Sequence, residues 1–465
     1  MCTWTHAACD YPVPQYLRAS RGTEVPRAVR LGESRMNTHA SAASATEVVQ
    51  QGLDKRYGAE SRFKLYGILG ISIAMVFLFI LMFSILSTGI PAFSKSKILL
   101  PFYMDPEVIN VEDLADPAAA RKINLRKIVN DSKAAFFGAT ERADKRQLEE
   151  VVSTLAQLEV LEHIRANPED VGQTVELWVT ADDEAGRWYK GEVDETLPEN
   201  RRPLNDQQIE WLKRLTAEER VKTTFNDTFF QGGDSRNPEQ AGILAALKGS
   251  FLTLIVTLGL SFPVGVAAAV YLEEFAPKNR FTDLVEVNIN NLAAVPSIIF
   301  GLLGLAVFLN IFGMPRSAPV VGGLVLTLMT LPTIIISSRA ALRAVPPSIK
   351  DAALGLGASP MQTVFHHVVP LALPGMLTGT IIGLAQALGE TAPLLMIGMV
   401  AFIVDVPQGF TDASSVLPVQ IYLWSDSAER AFVEKTSGGI IVLLMFLIAM
   451  NAMAVLLRKK FERRW

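Results

Sequence analysis

Residues 351–357 read DAALGLG, and residues 389–393, inside the next apolar stretch, read GETAP. The first motif is typical of a helix-forming loop between two apolar runs, and the second places Glu390 in a run long enough to cross a bilayer. A carboxylate in hydrocarbon costs roughly 2.5–3.5 kcal/mol on insertion scales, so it is normally retained only beside a polar path or a partner. The two motifs therefore predict a polytopic membrane protein and favour transport.

The composition predicts a membrane protein with a sizeable soluble part. The 465 residues are 50% hydrophobic and 19% charged, and the mean hydropathy is +0.28. These values lie below those of a bare helical bundle in a membrane. The net charge of -4 gives no indication of a basic surface for nucleic acid.

The cysteines and histidines predict no metal site and no cofactor. Cys2 and Cys9 both lie close to the N-terminus, so they cannot organise the fold through a disulfide or a thiolate metal site. The adjacent His366 and His367 have no cysteine or carboxylate near them in the sequence.

Six apolar runs each approach the ~20 residues that cross a bilayer core. They are residues 65–90, 251–271, 292–312, 320–337, 376–400 and 439–457. The first run starts too far from Met1 for a signal peptide and has no small-residue cleavage pattern after it, so it is interpreted as a retained anchor. The fold predicted is an all-α polytopic membrane protein with about six transmembrane helices.

Basic residues near the ends of the runs predict that both termini are cytoplasmic, in a bacterial inner membrane. Those outside the first and last runs are Lys55, Arg56, Arg62, Lys64, Arg458, Lys459, Lys460, Arg463 and Arg464. The internal loops agree, with Lys278, Arg280, Arg339, Arg343 and Lys350 on the inside and Asp405, Asp412, Asp426 and Glu429 on the outside.

The polar residues 91–240 are long enough for one domain, which we expect to be a small extracytoplasmic α+β insert. The patterns predict a helix over 145–164, a helix over 207–215 capped by Asn205, and strands over 174–179 and 188–193 joined by a hairpin turn at 182–186. The insert is interpreted as a spacer or docking module, or else as a sensor or a site for a soluble partner.

Residues 1–64 are predicted to form a cytoplasmic N-terminal segment. The first 35 residues contain interspersed Pro, Arg and Trp without apolar periodicity, and Met36 opens a Ser/Ala-rich stretch that leads to the first run. These residues are interpreted as an upstream extension that results from a wrongly assigned start codon, with Met36 as the true start.

The loop at residues 343–370 is predicted to contain two short helices that meet at Gly357. Residues 346–348 introduce the first helix, while Ser359 and Pro360 supply the N-cap and first-turn proline of a second helix that ends before Pro370. Such a bent pair can present Ala352, Ala353 and Ala358 to a groove on another protein, or it can simply fill space at the membrane surface.

These residues carry a family resemblance. Residues 351–353 with Gly357 and Pro370 resemble the EAA loop of ABC-importer permeases, the segment that docks into an ATPase subunit; His367 and Val369 depart from its usual Ile and Leu. Residues 291–304 and 387–395 resemble signatures of the PstA-type permease subunits of phosphate importers, at the spacing those subunits use. The resemblance covers about residues 240–465, and the insert is absent from the short form of that family.

The resemblance implies an ABC importer permease fold and a subunit that imports inorganic phosphate by alternating access. The implied partners are a second permease subunit, two ATPase subunits and a periplasmic phosphate-binding protein, besides membrane lipid. The chain has no Gly-x-x-x-x-Gly-Lys-Ser/Thr loop, so we expect no catalytic residue and ATP hydrolysis in a partner. A permease for sulfate or molybdate and, with less support, a membrane-anchored sensor are the alternatives.

Two groups of residues are candidates for function. The ATPase-coupling loop would use Asp351, Ala352, Ala353, Gly357, Ala358 and Pro370. The translocation path or its gate would use Glu390, Gln386, Thr391, Ser297, Asn291 and Arg339. Glu390 could instead pack through backbone or hydroxyl groups, and Arg339 could be a cytoplasmic anchor. Pro296 could break the third run into a lined path or merely kink it.

Overall fold

The computed structural model describes residues 45–109 and 123–461. The interpretations that concern residues 1–35, Met36 and the two cysteines lie outside the described residues, as do Arg463 and Arg464. The first of two compact units ends at Met75, and its described part is the beginning of helix α1, Ala45–Gly89. All other elements belong to the unit that starts at Val76.

The insert contains three strands and six helices among its described residues. The strands are β1 Ser94–Tyr103, β2 Thr174–Thr180 and β3 Val221–Phe225. The helices are α2 Leu125–Phe137, α3 Arg142–Gln147, α4 Ala156–Ala166, α5 Asp183–Tyr189, α6 Asp206–Ala217 and α7 Asp227–Gln231.

The permease part that follows is helical. Its helices are α8 Leu244–Val270, α9 Arg280–Ala293, α10 Ser297–Gly304, α11 Pro319–Arg343, α12 Pro347–Gly355, α13 Pro360–Thr363, α14 Val369–Gly389, α15 Ala392–Met396, α16 Leu417–Ser425 and α17 Ala431–Phe461. Wide π-helical turns at Tyr271–Phe275, Leu305–Ile311 and Val364–Val368 extend α8, α10 and α13.

Five helical stretches of the described chain are long and apolar enough to cross a membrane, and a bent pair makes six. The five are Arg56–Phe93, Leu244–Phe275, Pro319–Arg343, Pro360–Gly389 and Ala431–Lys460. The sixth combines Arg280–Ala293 with Ser297–Ile311, which meet at 100°. The predicted helical membrane fold with about six spans and a small α+β insert is confirmed.

The third apolar run, residues 292–312, does not form one helix. It starts at the end of α9, and Pro296 then adopts an extended backbone conformation before α10 begins. Proline has no N–H for the helical ladder and disfavours a helical conformation in the residue before it. The angle of 100° between the two helices is that of a broken helix and exceeds a plain kink.

The fifth run, residues 376–400, is also interrupted. Helix α14 ends at Gly389, Glu390 is extended with φ -78° and ψ 122°, and the short helix α15 follows with Pro393 near its start. The prediction that the carboxylate lies inside a membrane helix is therefore wrong, because Glu390 occupies the break between two helices.

The second helix of the loop does not end before Pro370, as the sequence predicted. Helix α13, the π turn Val364–Val368 and α14 form the continuous stretch Pro360–Gly389. Pro370 falls in the first turn of α14, where its missing N–H is least costly, directly after the wide π turn.

The sheet of the insert has the order β2-β1-β3, and both pairs are antiparallel. Alternate residues of β1, namely Ile98, Leu100 and Phe102, are fully buried against the helices of the insert. This alternation matches the two-residue repeat of a strand with one face in a core.

Within the insert, the strand predicted over 174–179 is confirmed as β2 and the capped helix over 207–215 as α6, while the predictions for 145–164 and 182–193 are wrong. The helix predicted over 145–164 is two helices, α3 and α4, because the chain turns between them to let Val152 form a bridge to Ala181. The predicted hairpin does not exist: residues 183–189 form α5, which buries Ala185, while β2 pairs with the distant β1. Asn205 does cap α6, in a reciprocal capping box with Gln208.

Candidate functional site

The loop between α11 and α14 turns sharply at Gly357. Its φ of +87° lies in the left-handed region, which an L side chain adopts only with strain. Ser359 then accepts a hydrogen bond from the backbone N–H of Gln362, whose side chain accepts one from the backbone N–H of Ser359. The turn at Gly357 therefore separates the end of α12 from the capped start of α13, as the sequence predicted.

The predicted coupling residues differ in accessibility. Asp351, Ala352 and Gly357 are exposed, while Ala358 and Pro370 are half-buried. Ala353 is only 7% exposed, so its side chain packs inside this chain and is not offered to a partner.

The most exposed apolar side chain of the loop is one that the sequence analysis missed. Leu356, at the tip, is 90% exposed, and Met361 and Phe365 nearby are 59% and 49% exposed. Leu356 stands between Gly355 and Gly357, the latter at the turn, and this position at a glycine turn was the signal available in the sequence. The tip therefore presents an apolar surface outside the chain.

Salt bridges hold the base of this loop to the rest of the permease part. Lys350 on α12 donates to both carboxylate oxygens of Glu274, at 2.7 and 2.9 Å. Arg343, at the end of α11, donates to Glu273 at 2.8 Å. The Glu274 side chain is only 7% exposed, so this carboxylate depends on its partner for compensation of its charge.

Arg339 joins the same network. Its guanidinium donates to Glu273 at 3.2 Å and also to Glu286 on α9. Six residues connect the end of α8, helix α9, the end of α11 and the loop helix α12. We call them the basal network: Glu273, Glu274, Glu286, Arg339, Arg343 and Lys350. Arg339, predicted as an anion contact or an anchor, therefore has its donors engaged by two carboxylates.

A cavity of about 560 Å³ lies beside the basal network. Its lining includes Val345, Ile349, His366, His367 and Leu371. Among the described residues, neither histidine belongs to a group of three or more His, Cys, Asp or Glu side chains close enough to share a metal ion.

The two other motif segments pack against each other. A Cβ on Gly301 of α10 would lie 2.7 Å from Pro393 at the start of α15, so only glycine allows this approach. Gly304, one turn later, meets Val325 and Ile397. The structure therefore brings residues 291–304 and 387–395 together at the two helix breaks.

The polar side chains predicted for a path are near these breaks without touching one another. Glu390, Thr391 and Ser297 are half-buried, while Asn291 and Gln386 are exposed. Within the described part of the chain, the Glu390 side chain forms no hydrogen bond or salt bridge, so the hydroxyl of Thr391 does not hold it. A half-buried carboxylate that has no partner among the described residues of its own chain is available to a group from another subunit.

The sequence analysis also missed a set of buried hydroxyl groups along α8. Ser250, Thr253, Thr257 and Ser261 are all at most 3% exposed, and their spacing of three or four residues, visible in the sequence, places them on one helix face. Thr257 donates to the backbone carbonyl of Thr253 and lies against Gly323 of α11. These small side chains allow α8 and α11 to pack closely.

Comparison with known proteins identifies the family. Residues 243–465 match the family of binding-protein-dependent transport system inner membrane components, and residues 50–199 match a domain of unknown function, DUF3333. The phosphate transport system permease protein PstA 1 of Mycobacterium tuberculosis is 30% identical over 229 residues, which are 49% of this chain and 74% of the relative. The chain belongs to the PstA-type ABC permeases.

Two further relatives and a solved structure are similar to parts of this chain. The PstA protein of Haemophilus influenzae is 28% identical over 48% of this chain and 78% of its own length. The probable ABC transporter permease YqgI of Bacillus subtilis is 37% identical, over 33% of this chain and about half, 52%, of its own. The inward-facing MetNI methionine ABC transporter covers 47% of this chain and 97% of its own at 20% identity, with a TM-score of 0.38.

The family confirms the resemblance and the fold given by the sequence. This permease is a subunit of an ABC importer, its relatives are transport subunits in the inner membrane, and such permeases work with ATPase, substrate-binding and further permease subunits. The region that matches DUF3333 is additional to the part shared with the PstA relatives.

We expect the basal network to hold the loop against the permease core. Glu274→Lys or Lys350→Glu alone would place like charges together and release α12, so cleavage by chymotrypsin at Leu356 should become faster in each. The exchange of both charges in one chain should restore slow cleavage, because the pair reforms with reversed polarity.

The measurement is the rate of loop cleavage in the purified, detergent-solubilised chain. Glu218→Lys is the matched control, because Glu218 pairs with Arg214 at 2.9 Å on an exposed face of the insert. Single variants that are cleaved at the wild-type rate, or a double variant as labile as the singles, would show that the pair does not secure the loop.

Proposed function

We propose that this permease is the translocation subunit of an ATP-driven importer of inorganic phosphate. The observation that carries the proposal is the similarity to PstA proteins over about half of this chain, 49% and 48% for the two relatives. Selectivity among oxyanions is assigned to a soluble binding protein together with this path. Sulfate and molybdate therefore enter the test as competitors.

We also propose a topology and a division of the chain. Residues 1–64 would be cytoplasmic, 65–90 would form the first span, 91–240 the periplasmic insert and 241–465 the permease core with the coupling loop 343–370. Six spans put both termini on the same side of the membrane, and the basic residues that flank the first and last spans assign that side to the cytoplasm.

The loop is proposed to dock into a cleft of an ATPase subunit through its exposed tip. Leu356 would insert its apolar side chain, Asp351, Ala352, Gly357 and Ala358 would surround it, and buried Ala353 and half-buried Pro370 would support the loop from behind. Because Lys350 is paired with Glu274, movement of the tip would be passed to the ends of α8 and α11 as a rigid-body shift.

The path is proposed to run along the two helix breaks. Non-helical backbone at membrane depth is tolerated only where it lines a water-filled cavity or is covered by protein. The polar side chains near these breaks that could line such a cavity are Ser297, Asn291, Gln386 and Thr391. Glu390 would repel phosphate by itself, so we assign it to an Arg or Lys of the partner permease that it holds or releases during gating. Arg339 would anchor the inner end of this gate through its carboxylate partners and would not bind the anion.

We expect Glu390→Gln to lower uptake of labelled phosphate strongly, to about one tenth or less, in cells that depend on this chain. Glutamine keeps the volume of the side chain and removes the charge, and a lost charge pair in a poorly hydrated site costs more than about 1.4 kcal/mol, which is a factor of ten. The amount of protein in the membrane should stay near the wild-type level, because Glu390 pairs with no described group of its own chain.

Asp426→Asn, an exposed acid-to-amide change in the loop before α17, is the control and should transport normally. Normal uptake by Glu390→Gln at equal abundance would assign Glu390 to packing. If sulfate or molybdate suppresses the uptake of labelled phosphate as effectively as unlabelled phosphate does, the substrate is another oxyanion and not phosphate.

We expect Gly357→Ala to reduce ATP-dependent uptake several-fold while Gly355→Ala leaves it unchanged. Both glycines have open space where the methyl group of alanine would lie, but only Gly357 has a positive φ, so alanine strains only that position. The strain costs about 1 kcal/mol or more and shifts the tip of the loop. Equal activity of the two variants in the assembled transporter would show that the bend at Gly357 is not needed for coupling.

A further inference from the structure

A small polar cavity of about 50 Å³ lies where the insert meets the start of α17. Its wall includes Ser96 of β1, Asp182 and Asp183 at the start of α5, Glu239 in the turn before α8, and Glu434 of α17. Such a volume accommodates a few water-sized occupants, since one water needs roughly 10–15 Å³ by this measure.

Three carboxylates converge at this cavity. One oxygen from each of Asp182, Asp183 and Glu239 lies within 4.8 Å of the others. The carboxylates are therefore too close to carry all their charges without a proton or a cation between them.

The basic side chains around the cavity are engaged with other groups. Lys95 pairs with Asp227, and Lys190 pairs with Glu434. Arg187 binds Glu184 at 3.0 Å and Glu192 at 3.3 Å, and Lys435 lies 5.1 Å from the centre of the Phe229 ring. In the described ranges, no Lys, Arg or His comes within 4 Å of the three carboxylates.

An independent observation also points to an occupant. Ser96 is 4% exposed and its hydroxyl oxygen has no hydrogen-bond partner among the described residues, although it lines the cavity. Glu434 is 6% exposed and one of its carboxylate oxygens is likewise without a partner, as is one oxygen of Glu239. Buried oxygen atoms without partners are costly, and all of these belong to residues that line one cavity.

We propose that Asp182, Asp183 and Glu239 bind a calcium ion in this cavity. All three ligands offer oxygen, which calcium accepts at about 2.3–2.6 Å, so ligands on opposite sides of the ion stand about 5 Å apart. Calcium takes six to eight oxygen ligands in flexible geometry and so fits an irregular set of carboxylates, whereas magnesium demands a near-ideal octahedron with distances of about 2.1 Å. Ser96 and Glu434 bind the ion through water.

The ion would connect the insert to the membrane part of the same chain. Asp182 and Asp183 lie at the start of α5 in the body of the insert, whereas Glu239 lies at the end of the insert, shortly before the membrane helix α8. A bound calcium ion therefore clamps the insert to the entrance of the permease core. This inference does not depend on which solute the transporter carries.

The test is equilibrium binding of radioactive calcium to the purified full-length chain in detergent, after treatment with a chelator. We expect saturable binding of one ion per chain with a Kd at or below about 1 mM. Asp183→Asn and Glu239→Gln should each weaken binding at least about tenfold, because each removes a charged ligand. Glu162→Gln, an exposed acid-to-amide change in the insert, should bind like the wild type.

Thermal unfolding provides a second measurement. If the three carboxylates only stabilised the fold without binding an ion, calcium would not change the Tm in the following way. Calcium should raise the Tm of the wild type and of Glu162→Gln but not that of Asp183→Asn. Without calcium, Asp183→Asn should be more stable than the wild type, because one of the mutually repelling carboxylate charges has been removed. Absence of saturable binding by the wild type up to about 1 mM, unchanged binding by both variants, or equal displacement by magnesium would overturn the proposal.

Discussion

The permease part depends on two adjacent carboxylates at the end of its first membrane helix. Glu273 and Glu274 receive Arg339, Arg343 and Lys350, which come from two later elements. The carboxylate side chains are 18% and 7% exposed, so their charges are largely withdrawn from water. A basic partner is required there, and this requirement fixes the ends of α8, α11 and α12 relative to one another.

The two helix breaks are subject to a second physical constraint. Non-helical backbone at membrane depth must be covered by protein or must line a cavity. The breaks at Pro296 and Glu390 meet through Gly301, which accepts Pro393 at a distance no larger residue allows. This close contact of glycine with proline brings the two interrupted helices together at the breaks. The carboxylate of Glu390 remains half-buried beside this contact, which suits a residue whose partner comes from another subunit.

Local signals in the sequence predicted local structure well. The apolar runs predicted the membrane helices because the thickness of a bilayer sets the length of a span. Asn205 and Ser359 predicted helix caps and Gly357 predicted a turn, because a cap or a turn involves only residues within about three positions. The break at Pro296 was among the predicted alternatives for the same reason. Predictions that relied on neighbouring segments pairing with each other, such as the hairpin at 182–186, failed because β2 pairs with the distant β1.

The rest depends on contacts between distant residues, which a single sequence does not display. The partners of Arg339 lie 66 and 53 positions away, so this residue looked like a free cation or an anchor. The three carboxylates of the proposed calcium site likewise come from the insert and from the turn before α8.

Docking of the loop tip on an ATPase subunit is the central claim, and cross-linking from Leu356 tests it most directly. Cys2 and Cys9 would be replaced by serine, Leu356→Cys would carry a photoreactive maleimide, and the ATPase subunit would be co-expressed. The account predicts a covalent adduct with the ATPase subunit from this position and none from Leu197→Cys, an exposed leucine of the insert. An adduct from Leu197→Cys with none from Leu356→Cys would contradict it.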